Sequence, residues 1–204
     1  MSLESQVDQL LAGPRPLPIV QAGHPVLRHR AEPYDFSLPA DVFDHLIGAM
    51  RETMLTAPGV GLAAPQIGLG IQVAVLEDAA PVSSEVARVR DRTPLPFRVL
   101  VNPSYRPETD DVAAFYEGCL SVPGYQAVVE RAATVRLRAL DQNGAPIDEI
   151  VTGWAARIVA HETDHLAGIL YLDKAFTRSL TNNEHYLTRW AGATPQAARV
   201  ELGF

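Results

Sequence analysis

Residues 161–165 read His-Glu-Thr-Asp-His, and this short stretch limits the fold more than any other. On an α-helix two imidazoles four residues apart share a face and lie close enough to grip one ion. The spacing therefore predicts a helix, and GWAARIVA before it extends that helix backward, with Ile158, Val159 and Leu166 on or near its inner side. Glu162, beside the first histidine, is then free to move a proton. A reactive metal site needs a third protein ligand and an open position. The other four histidines, His24, His29, His45 and His185, show no ligand spacing. A further histidine six residues after His165 would complete one known pattern. Gly168 of that pattern is present, but its last position is Tyr171, and a phenol is a poor zinc ligand. Glu184, 19 residues beyond His165, fits a two-histidine, one-glutamate set by spacing alone. Cys119 lies upstream at an expected strand end or turn, where a thiolate would be a strong, soft ligand and a thiol a small buried hydrophobe.

The rest of the chain supplies a frame for that helix. Leu3, Val7, Leu10 and Leu11 mark a short N-terminal helix that stops at Gly13-Pro14. PLPIVQAG, with its prolines, reads as an extended edge segment. In SLPADVFDHLIGAMRETMLTAPG, apolar residues from Val42 to Met54 recur at helical spacing, with Ser37 as the expected cap, Pro39 in the first turn and Pro58-Gly59 as the stop. From about residue 70 the runs become short and β-branched: IQVAVL (71–76), RVLVNP (98–103), VAAFYEG, YQAVVE and ATVRLRAL predict strands. The polar, proline-containing stretch 77–97 reads as a surface excursion, and Asn-Gly in DQNGAPI marks a turn. A last helix is expected from about Ser179 to Trp190, and the tail TPQAARVELGF as a strand. This order predicts an α+β fold, with a mostly antiparallel sheet packed around the HETDH helix and helices at both ends. It is expected to form a single metallohydrolase domain over 1–204, with 1–14 a helical extension and 175–204 a C-terminal helix and tail.

Composition removes several function classes. A net charge of −7 argues against a broad nucleic-acid surface or direct nucleic-acid readout. One cysteine excludes an internal disulfide and fits a reducing compartment. No apolar run reaches the length of a membrane span. The start, MSLESQVDQLLAG, lacks the basic and apolar regions of a signal peptide, so a cytoplasmic location is expected.

Three segments occur in order: GVGLAAPQIG (59–68), EGCLSVP (117–123) and HETDHL (161–166). With them the chain resembles the peptide deformylases, and the likeness runs more loosely from PIVQAGHPVLR to about Lys174. The resemblance implies that Cys119, His161 and His165 bind one divalent ion, and it returns Glu184 to an ordinary helix residue. It points to ferrous iron as the physiological ion, with zinc, nickel or cobalt able to replace it. The reaction it implies is hydrolysis of a formamide at the N-formylmethionyl end of a newly made polypeptide, releasing formate. Glu162 would carry the proton, Gln66 and the Leu120 backbone N–H would donate to the oxygen that turns negative, and Gly61 would offer a main-chain group to the substrate. Transient contact with the ribosome follows from that substrate. Trp154 and Ile158 on the helix before His161, with Val60 near the entrance, are candidates to line the methionine side-chain pocket. Asp164, on the face away from the ligands, is expected to pair with Arg131. Gln126 stands where many members of the family carry an arginine. No charged contact with the substrate's backbone is therefore expected at that point, while GWAARI and the 77–97 stretch point to a subgroup with a reshaped entrance.

Overall fold

Alternation along one strand sets the architecture. In a strand from Val73 to Asp78, Val73 and Val75 face one way while Ala74 and Leu76 face the other, and all four are buried. A strand apolar on both faces must lie between two layers. The first layer is α1 (Leu3–Leu11) with α2 (Ala40–Thr56), which places Leu46, Met50 and Met54 against Val73, Val75, Val99 and Val101. The second is α4 (Gly153–Leu166), which places Ile158, Val159 and Leu166 against Ala74, Leu76, Leu100 and Leu137. The computed structural model describes residues 1–79 and 81–204.

The sheet between these layers has five antiparallel strands. They are β1 (Gly61–Ala63), β2 (Val73–Asp78), β3 (Leu95–Pro107), β6 (Thr134–Leu140) and β7 (Pro146–Thr152), in that spatial order. A second, three-stranded sheet holds β4 (Val112–Cys119), β5 (Val122–Ala132) and β8 (Thr181–Asn182). Helix α4 packs between the two sheets. The α+β class and the central HETDH helix thus match the sequence expectation. Among the described residues, no helix is long and apolar enough to cross a membrane.

Several local expectations are corrected. Ser37 does not cap α2: the helix starts at Ala40 behind Pro39, whose side chain has no donor or acceptor to offer. The 77–97 stretch is not all loop, because α3 (Ser84–Val89) forms within it, capped by the Ser83 hydroxyl accepting the Val86 N–H. The helix expected from Ser179 to Trp190 is broken into a 3₁₀ turn (Thr177–Ser179), β8, a single turn α5 (Asn183–His185) and a π-type turn (Tyr186–Trp190). The tail expected as a strand is helix α6 (Gln196–Leu202), rich in good helix formers and closed by Gly203 at φ 70°. β7 went unread because only Val151 of its seven residues is buried.

The segment expected to be extended at 16–23 forms no strand, yet it straps the site loops together. The Val20 N–H donates to the Gln66 carbonyl at 2.8 Å, and the Ala22 N–H to the Ser121 carbonyl at 2.7 Å.

Candidate active site

The HETDH helix delivers its two imidazoles as the spacing requires. Sulfur comes from the other sheet. The β4–β5 ladder runs in register to Gly118 opposite Gln126, then jumps so that Cys119 pairs with Val122. This irregularity leaves Pro123, Gly124 and Tyr125 unmatched and re-aims the end of β4, as a β-bulge does. Cys119 thereby turns its thiol toward α4, with Sγ 3.2 Å from His165 Nε2. One ligand atom each from Cys119, His161 and His165 lies within 4.8 Å of the others. Glu184, the spacing-based alternative, is exposed and outside this group. Tyr171 stacks on His161 with centroids 6.2 Å apart, while its hydroxyl is spent on the Tyr125 carbonyl.

The donor set fits a divalent ion. The His161 ring is fixed through Nδ1, 2.9 Å from Glu117 Oε2, so its Nε2 is the free ligand atom. Glu117 is buried, and its oxygens also accept from Arg131 at 2.6 and 2.9 Å and from Arg157 at 2.5 Å. Burial pushes the Glu117 carboxyl up, but the hydrogen bonds from His161 and Arg131 outweigh it and hold the group below the ordinary range. Arg131 also donates to Asp164 at 2.7 Å, as expected from the sequence, and Asp164 is closed off by Lys174 at 2.7 Å. A line of alternating charges therefore runs from the surface to the first histidine.

Glu117 and Arg157 were missed as site residues. Glu117 had a readable signal: it precedes Cys119 by two on a strand, and strand alternation places both on one face. Arg157 had none, because its partners Glu117, Val129 and Ala113 lie 28 to 44 residues away in sequence.

Removing one member of the chain of charges leaves its neighbours buried with less compensation. Arg131→Met takes the cation shared by Glu117 and Asp164 from both at once, and a loss of about 3–5 kcal/mol in folding stability is expected. Urea unfolding at fixed metal content measures it; a loss under about 1 kcal/mol would mean that the network is not what holds α4 to β5.

Glu162 is buried, and its Oε2 has no hydrogen-bond partner among the described residues. Burial pushes its carboxyl up to about 7, against the nearby charges of His161 and Arg131. Gly61 lies directly against it: a Cβ at that position would stand 2.2 Å from Glu162 Oε1. Gly61→Ala must therefore displace the carboxylate, and a displacement near 1 Å is expected to lower kcat by about 10²-fold. A Gly61→Ala enzyme with unchanged kcat would show that this close approach has no catalytic consequence.

Gln66 is oriented by its own neighbours. Its Oε1 accepts the Ala63 N–H at 2.8 Å, which fixes the amide so that Nε2 faces Ser121 Oγ at 3.3 Å and Cys119 Sγ at 3.6 Å. Gly61, Gln66, Leu120, His161 and Glu162 open on one cavity of about 680 Å³. Val60, Trp154 and Ile158 line the same cavity. Gln126 reaches it too, with its amide donating to Asn183 at 3.3 Å.

Fold and site together define a metal-dependent hydrolase with one thiolate and two imidazoles as ligands. A family model described as polypeptide deformylase matches residues 16–180. Peptide deformylase 3 of Streptomyces avermitilis is 59% identical over 202 residues, which span 99% of this chain and 90% of that protein. Peptide deformylase 1 of Bifidobacterium longum is 47% identical over 208 residues, spanning 100% and 95%. The class I type b peptide deformylase of Acinetobacter baumannii, in its Met-Ala-Ser-bound crystal structure, superposes with a TM-score of 0.69 at 34% identity. The match covers 78% of this chain and 97% of that one. The chain belongs to the polypeptide deformylase family. Its activity is the metal-dependent removal of the N-formyl group from N-formylmethionyl peptides.

Proposed function

We propose that Cys119, His161 and His165 hold the ion and that Glu162 carries the proton of the reaction. The observation that carries this reading is the convergence of three ligand atoms within 4.8 Å beside a buried carboxylate. When bound, the ion supplies a water acidified to a pKa near 7 and polarises the formyl oxygen. Glu162 takes a proton from the attacking water and returns it to the departing nitrogen as the C–N bond breaks. Burial favours the protonated form of Glu162, which helps it hold the proton between the two halves of that exchange. Gln66 Nε2 and the Leu120 N–H donate to the formyl oxygen as its charge grows, each contributing about 2.7–4 kcal/mol to lowering the barrier. Gly61, without a side chain, lets the substrate's main chain approach. The first side chain of the peptide lies along Val60, Ile158 and Trp154. The bound Met-Ala-Ser of the Acinetobacter protein supports a peptide in this cavity.

Ferrous iron is the ion proposed for the cell, with zinc, nickel and cobalt as substitutes. The mixed thiolate and imidazole set supports a borderline-soft divalent metal. The enzyme is proposed to work in the cytoplasm, where a reduced Cys119 is available, and to meet nascent chains through passing contact with ribosomes. The test is formate release from formyl-Met-Ala-Ser by anaerobically prepared protein of known metal content. Metal-loaded protein that releases no formate would remove this reading.

A further inference from the structure

Away from the metal ligands, the wall of the cavity changes character. Trp154, Arg157 and Arg90 build it. Arg90 follows α3 and lies with its guanidinium 5.0 Å from the Trp154 ring centroid and 5.4 Å from that of Phe115. The Arg157 guanidinium covers the same two rings at 5.7 and 5.2 Å. The two cations differ in their partners. Arg157 is paired with Glu117 at 2.5 Å. Arg90 has no carboxylate partner among the described residues; its Nε and Nη2 donate to the carbonyls of Ala193 at 3.2 Å and Gly192 at 2.9 Å. A guanidinium carries five N–H donors, so most of Arg90's remain free. The indole N–H of Trp154 is enclosed by protein and has no partner among the described residues, so the indole meets the cavity through its ring. The carboxylate nearby, Glu117, already accepts from Arg131, Arg157 and His161. Arg90 therefore brings donors to this wall without a carboxylate among the described residues to meet them, an arrangement that a bound acceptor would complete.

We propose that this wall receives an oxygen on the first side chain of the substrate, so that the enzyme deformylates N-formyl peptides beginning with methionine sulfoxide as well as methionine. The inference rests on the reading that the first side chain runs along Ile158 to Trp154. A thioether sulfur is a weak acceptor, and it leaves the donors unsatisfied. Oxidation places a polar S=O group at the same point of the chain. A purely apolar pocket disfavours one added polar oxygen by about 10²-fold, because its hydrogen bonds to water are lost without replacement. The free N–H groups of Arg90 replace them. The chemistry is unaltered: the same formyl C–N bond is cleaved by water, and the sulfoxide leaves unchanged.

The test compares kcat/KM for formyl-Met-Ala-Ser with that for the peptide carrying methionine sulfoxide, using the better of its two epimers and metal-loaded enzyme. For the native protein the sulfoxide peptide is expected within about tenfold of the thioether peptide, in contrast to the 10²-fold penalty of an apolar wall. Arg90→Met, which removes the donors, and, separately, Trp154→Phe, which shrinks the ring that seats the Arg90 guanidinium, are expected to lower the sulfoxide-to-thioether ratio by about tenfold. The ratio cancels any loss of folding or metal loading shared by both substrates. A native ratio below one in ten, or a ratio unmoved in both variants, overturns the proposal. Ile158→Phe serves as the control on the pocket, because a narrowed passage must slow both peptides. If it slows neither, the failure lies in the placement of the first side chain. If it slows both while the ratio stays fixed in the other two variants, only the donor wall fails.

Discussion

Glu162→Gln is expected to retain its metal and to lose about 10²–10⁴-fold in kcat for formate release. The substitution keeps the shape of the side chain in a pocket with no spare room, since the Gly61 backbone already lies against the carboxylate. It also keeps the site folded, because Glu162 Oε2 has no hydrogen-bond partner among the described residues to lose. What disappears is the capacity to accept a proton from water and pass it to nitrogen. Formate release measured beside metal content by atomic spectroscopy separates the two effects. A variant that turns over at the native rate with full metal would mean that the proton travels by another group.

Cys119→Ala is expected to remove the ion. The thiolate is the one anionic ligand of the set, and the remaining pair of imidazoles leaves an ion two bonds short of a closed tetrahedron. Changes in groups that merely orient a ligand cost about 10–100-fold in metal affinity, so loss of a ligand itself is expected to exceed 100-fold. Equilibrium dialysis against buffered zinc reads the affinity directly. Retention of metal by Cys119→Ala would favour a different third ligand. The position of Glu184, exposed on a single turn beyond β8, makes it a poor one.

The parts of the molecule legible in the sequence were those governed by local period. The histidines of α4 share a face because they are four apart, and Ile158 and Val159 turn inward because the same helix must bury one side. The pairing of Asp164 with Arg131 could be anticipated from the face opposite the ligands. Parts held by distant contacts were not legible. α6 buries a single residue, Ala198, so its apolar period is too weak to distinguish helix from strand. Arg157 reads in sequence as an ordinary helical arginine, and only folding brings Glu117 to it. Arg90 belongs to a polar stretch whose local composition says surface, yet the turn after α3 carries it onto Trp154. Composition predicts exposure from the average of a segment, and a single long side chain can escape that average.

The bulge at Gly118 and Cys119 has a consequence for how the molecule holds together. Sulfur belongs to the three-stranded sheet, while both imidazoles ride on a helix whose main packing is against the five-stranded one. An ion seated among them acts as a rivet through two plates. Whatever loosens the plates opens the seat, and whatever empties the seat frees the plates, so occupancy and mechanical integrity rise and fall together.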